Sequence, residues 1–93
     1  MKVVWKFPLI LQGGAQFLTL KIGAIILHAA TQDGLPTIWA LVDPNPEAPE
    51  ETREFLILGT GHQMTKEIAA DARHIGTTFD GSFVWHIFEI PNS

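Results

Sequence analysis

The side chains able to do chemistry in this chain are few: His28, His62, His74 and His86, the serines Ser82 and Ser93, and scattered carboxylates. Histidine suits metal binding and proton transfer near neutral pH. No two of the four stand at i, i+2 on a strand or i, i+4 on a helix, so the spacing sets up no chelating pair. His86, between Trp85 and Ile87, reads as a histidine making one core or interface hydrogen bond; His28 is similar, and His74 reads as surface. Neither a metal nor a cofactor is expected.

His62 differs in its setting. It closes Gly59-Thr60-Gly61-His62, a glycine-rich turn directly after the apolar run Phe55 to Leu58. Glycines around Thr60 let backbone N–H groups converge into a nest for an anion, with the Thr60 hydroxyl and the His62 ring as further donors. The same residues also serve as turn chemistry alone, and the lysine that follows the glycines of a P-loop is missing. Nucleophilic catalysis finds no support. Ser82 lies in a hairpin turn, Ser93 is terminal, and Thr77 and Thr78 are strand formers. Glu47, Glu50 and Glu51 share a Pro-rich stretch where solvent holds carboxylates apart. With no triad and no tuned carboxylate pair, the chain reads as a non-enzyme.

Trp5, Trp39 and Trp85 each fall in a strand pattern, and a tryptophan on an outer sheet face can stack a nucleobase. Which one faces outward is left open, because all three strands are apolar on both sides.

The elements that would position these groups are short strands. Leu35 to Val42 is bounded by Gln32-Asp33-Gly34 and Asp43-Pro44-Asn45-Pro46, and reads as a strand buried on both faces. Before it come Val3 to Phe7, then Gln16 to Ile22 with Leu18, Leu20 and Ile22 on the buried side and Thr19 and Lys21 opposite, then Ala24 to Thr31. Asp33-Gly34 is a hairpin signal. Asp43 to Glu51 reads as an exposed loop. After it follow Thr52 to Leu58, Arg73 to Thr78 and, across an Asp80-Gly81 turn, Phe83 to Ile90. Thr65 is placed to cap one short helix near 65–72, with Ile68, Ala69 and Ala72 on one side. The expected fold is all-β, a small β-sandwich or partly open barrel of about seven strands plus that helix, as a single domain over 1–93.

The 93 residues carry a formal net charge of −4, and Lys2, Lys6, Lys21, Arg53, Lys66 and Arg73 are dispersed, which excludes a basic stripe for DNA or RNA duplexes. Cysteine is absent, no apolar run approaches a membrane span, and the N-terminus lacks the order of a signal peptide. A soluble, cytoplasmic protein is expected. Strands apolar on both faces exceed what so short a chain can cover, so a homo-oligomer is expected too.

Trp5-Lys6-Phe7-Pro8-Leu9, Gly23-Ala24, Trp39 to Pro44, Gly59 to His62 and Phe83-Val84-Trp85-His86 together resemble a family of small uncharacterised proteins of bacteriophages and prophages, across nearly the whole chain. The Met64 to Ala72 segment departs from that pattern in being longer and more helical. The resemblance implies a phage accessory protein in the bacterial host cytoplasm. By analogy with small oligomeric phage proteins, it implies a sponge that sequesters a nucleotide-derived immune signal, such as a cyclic nucleotide or an ADP-ribose derivative. On that reading Lys6 or Arg53 meets phosphate, Trp39 stacks on the base, and Thr60, Gly61 and His62 line the anionic end. The alternatives are a protein that blocks a host protein through a sheet edge or the acidic Pro-rich loop, and a minor virion or assembly component.

Overall fold

Turn chemistry explains the hairpin at Asp33-Gly34. Asp33 and Gly34 both take positive φ (51° and 77°), which matches the right-handed twist of the strands they join. In the computed structural model, which describes residues 1–91, the strands are β1 (Val3–Pro8), β2 (Gly14–Lys21), β3 (Ile25–Gln32), β4 (Leu35–Val42), β5 (Glu50–Gly59), β6 (Arg73–Asp80) and β7 (Phe83–Ile90). One helix, α1 (Lys66–Asp71), lies between β5 and β6. The strands form two antiparallel sheets, ordered β1-β4-β3 and β2-β5-β7-β6, and no closed barrel. The fold is all-β with one short helix.

Alternation decides what lies between the sheets. Ile38, Ala40 and Val42 of β4 face Phe55 and Ile57 of β5 and Ile87 of β7, and all six are essentially inaccessible. Each large aliphatic or aromatic side chain removed from water this way contributes about 1.5–3 kcal/mol. β3 and β6 hold the two sheets together along one side. The Thr31 hydroxyl donates to the Phe79 carbonyl (2.9 Å) and accepts from the Phe79 N–H (3.2 Å), so a side chain does what a ladder bond would do. On the other side β1 and β2 are edges.

The structure corrects several expected details. β5 begins at Glu50, so the acidic loop is shorter than Asp43 to Glu51, and Glu50 and Glu51 pair with Lys21 and Leu20. Lys21, expected on the solvated side, is buried and donates to the Ala48 carbonyl (3.2 Å). Ile22 falls beyond the end of β2 and is exposed. Thr65 does cap α1, accepting from the Ile68 N–H (3.2 Å), yet no residue of the helix is buried. A short local motif therefore forms the helix with little help from tertiary packing.

Candidate functional site

Because Ile38, Ala40 and Val42 point inward, Trp39 points out from the centre of the three-stranded sheet. Lys6 of β1 stands directly opposite it on one side and His28 of β3 on the other. The second placement depends on a β-bulge. Ile26 pairs with Ala40, and the register shift at Leu27 brings His28 rather than Leu27 opposite Trp39. The His28 and Trp39 rings lie 6.1 Å apart between centroids, tilted by 32°. The Lys6 ammonium donates to the Gln32 carboxamide (2.8 Å), which fixes it over the same face and leaves two N–H donors. Val4 and Ile25, both more than half exposed at 53% and 57%, border this row. A half-buried indole between a fixed cation and an imidazole can stack a planar ring and hold an attached anion.

The Gly59–His62 turn has a different character. The Gly59 N–H donates to His62 Nδ1 (3.2 Å), the His62 N–H to the Gly59 carbonyl (3.0 Å) and the Thr60 N–H to the Val84 carbonyl (3.4 Å). Among the described residues, only the Gly61 N–H of this turn is without a partner, so the expected anion nest of Thr60, Gly61 and His62 does not assemble; internal bonds consume its donors. The Thr60 hydroxyl is held against His86 Nε2 at 2.8 Å. The tryptophan beside this turn is Trp85, not Trp39. Its ring meets His62 edge-on (6.3 Å between centroids) and stacks with Phe83 (6.4 Å, 25°). These residues border a groove of about 330 Å³, and the buried Trp85 Nε1 has no hydrogen-bond partner among the described residues. An unmade bond of this kind costs about 1–3 kcal/mol.

Arg53, expected at a phosphate, faces inward and is occupied. Its Nε and Nη2 bond Glu89 in a fork (2.5 and 2.8 Å), and Nη1 donates to the Ala24 carbonyl (2.6 Å). The two side chains are only 13% and 9% exposed, so the fork is shielded from water. Its hydrogen bond to Glu89 raises the guanidinium pKa, against the opposing effect of burial. Arg73 lies opposite Glu89 in the β6–β7 ladder and is exposed.

Of the six sequence-selected residues, Lys6 and Trp39 therefore meet on one sheet face, and Thr60, Gly61 and His62 form a turn on the other sheet. Arg53 joins neither. Strand pairing also makes a neighbourhood that the linear spacing concealed: His74 and His86 lie 6.4 Å apart between centroids, with the Thr77 hydroxyl near both (3.3 and 3.4 Å). A bulge in β6 between His74 and Gly76 adjusts that register. Among the described residues, no group of three or more histidines and carboxylates could hold a metal ion, and no helix is long and apolar enough to cross a membrane. Ser93 lies outside the described residues.

No curated protein and no solved structure matches this chain. One family matches along the full sequence, residues 1–93, and the chain belongs to it: the domain of unknown function DUF7352.

Proposed function

We propose that this is a phage-encoded, non-enzymatic, oligomeric protein of the host cytoplasm that sequesters a nucleotide-derived immune signal, a cyclic nucleotide or an ADP-ribose derivative. One observation carries the reading: Trp39 stands on an open sheet face with Lys6 and His28 directly opposite it on its two neighbouring strands. A base stacks on the indole, a phosphate takes the two free N–H donors of Lys6, and His28 flanks the sugar side. The exposed Val4 and Ile25 alongside give a second copy apolar surface to cover, and covering would exclude water from the phosphate contact.

Isothermal titration calorimetry against cyclic dinucleotides, cyclic oligoadenylates and ADP-ribose derivatives tests this reading. Saturable binding of one class is expected, with Trp39→Ala weakening it roughly 10- to 100-fold, in line with one lost base stack. Absence of heat from the whole panel ends the proposal. A second reading, direct blockade of a host protein, draws on the Asp43–Pro49 loop. There the Asp43 and Asn45 side chains accept from the Asn45 and Glu47 N–H groups (2.9 Å each), giving the acidic loop a fixed shape. Glu47→Lys, which leaves the Trp39 face untouched, would abolish activity only on that second reading.

A further inference from the structure

We infer that two copies of this chain associate edge to edge through β2, antiparallel about a two-fold axis at its centre, to make one continuous eight-stranded sheet. The inference rests on the oligomeric part of the reading above but gives it a sheet-edge contact distinct from the surface of Val4 and Ile25, and it is independent of any ligand.

The four outer strands of the two sheets differ in how they are protected. β3 and β6 close on each other through Thr31, Phe79, Ala29 and Gly76, and each carries a bulge. β1 is six residues long, ends in Pro8 and carries Lys6, with Lys2 just before it. Lysines and a proline are common guards against strand addition, and a second copy paired there would bring like charges together. β2 has no such guard. It is eight residues long, Gly14 to Lys21, with no bulge, no proline and no charge before its last residue, and that residue, Lys21, is buried against the Ala48 carbonyl. Among the described residues, the backbone groups of 14–20 bond only to β5, so those on the other side of the strand are unpaired.

An unguarded backbone edge is a template for a further strand, and the side chains match the same strand from another copy. Phe17 lies at the middle of β2 on its outward face and is 64% exposed. In an isologous antiparallel pair, the residue at the axis meets its own counterpart, so the two Phe17 rings form an aromatic cross-strand pair. Ala15 and Thr19, its neighbours on that face, are small and uncharged, so no like charges oppose each other across the seam. Glu54 stands opposite Phe17 on β5 and Leu56 opposite Ala15, and pairing about Phe17 would set Ala15 of one copy against Thr19 of the other.

Sedimentation velocity with a concentration series, beside amide hydrogen exchange, tests this. The wild type is expected to sediment as a dimer of the 10.3 kDa chain at concentrations on the order of tens of micromolar, as a short-strand interface implies. Amides of 14–20 should become more protected as concentration rises. Phe17→Lys and, separately, Thr19→Lys, both at exposed positions, should raise the dimer dissociation constant about tenfold or more, leaving circular dichroism unchanged. A dimer insensitive to both substitutions but lost in Val4→Lys would overturn the β2 interface and leave oligomerisation standing. A monomer at all concentrations would overturn both. Nucleotide binding bears on neither outcome.

Discussion

Gly76 of β6 lies so close to Ala29 of β3 that a Cβ placed on it would stand 2.9 Å from the Ala29 carbonyl oxygen and 3.0 Å from the Ala29 methyl. The obstacle is partly backbone, in a strand that also carries the outward-facing His28. The seam between the sheets therefore needs glycine for proximity, whatever its φ.

Gly76→Ala should push β3 and β6 apart and cost about 2 kcal/mol, the usual range for forcing an extra carbon into a packed contact. Urea unfolding followed by tryptophan fluorescence measures it. Gly13→Ala is the control: an added Cβ there meets nothing within 4 Å, and a change of no more than about 0.5 kcal/mol is expected.

Thr31→Val removes the hydroxyl that both donates to and accepts from the Phe79 backbone while keeping the side-chain shape. A loss of about 1–2 kcal/mol is expected, since one hydroxyl serves two bonds. Faster exchange of the Phe79 amide, with the β1–β4 amides unchanged, would assign the loss to the seam. Equal exchange along the whole chain would refute that assignment.

Glu89→Gln leaves the Arg53 guanidinium facing inward without its anion and should destabilise by about 3 kcal/mol. The pH dependence has a defined sign on the arginine side. The bond to Glu89 raises the Arg53 pKa, so its contribution is complete below the ordinary arginine range and is lost only as pH rises through the raised value. Chemical denaturation from neutral pH to about pH 10 should find this contribution constant in the wild type. A fall confined to that window and absent in Glu89→Gln would contradict the assignment.

Lys6→Ala and Trp39→Ala should separate charge from stacking on the candidate platform. Lys6 is exposed, so its loss should change stability by no more than about 0.5 kcal/mol while weakening binding of an anionic nucleotide and flattening its salt dependence. Trp39→Phe should retain much of the affinity that Trp39→Ala loses. Calorimetry at two ionic strengths reads both effects; an unaltered salt response in Lys6→Ala would remove Lys6 from the site.

The strands were legible because their punctuation is local. Asp33-Gly34 and Asp80-Gly81 end and restart apolar runs, and Thr65 marks the helix start three residues before Ile68, whose N–H it accepts. What escaped depends on register. Nothing in the linear spacing puts Lys6 beside Trp39, since they meet only once β1 pairs with β4. His28 reaches the same row through a single inserted residue, and bulges carry no fixed sequence signal. Arg53 reads as a free cation in the sequence because its partner Glu89 is 36 residues away, with a helix and a strand between them. The turn at Gly59–His62 was recognised as a turn, but whether its N–H groups faced a ligand or the protein depended on where Val84 and the His62 ring came to rest.

The strand order also sets a timetable for synthesis. Every strand of the β1-β4-β3 sheet has been made by Val42, so that layer can close as soon as those residues clear the ribosome. β2 is made second yet must wait for β5, which begins at Glu50, and the layer it belongs to is finished only by the chain's last strand, β7. The nascent protein thus holds an early, unpaired ribbon with Phe17 at its centre, and crowded translation of one message gives neighbouring nascent chains the first opportunity to meet it.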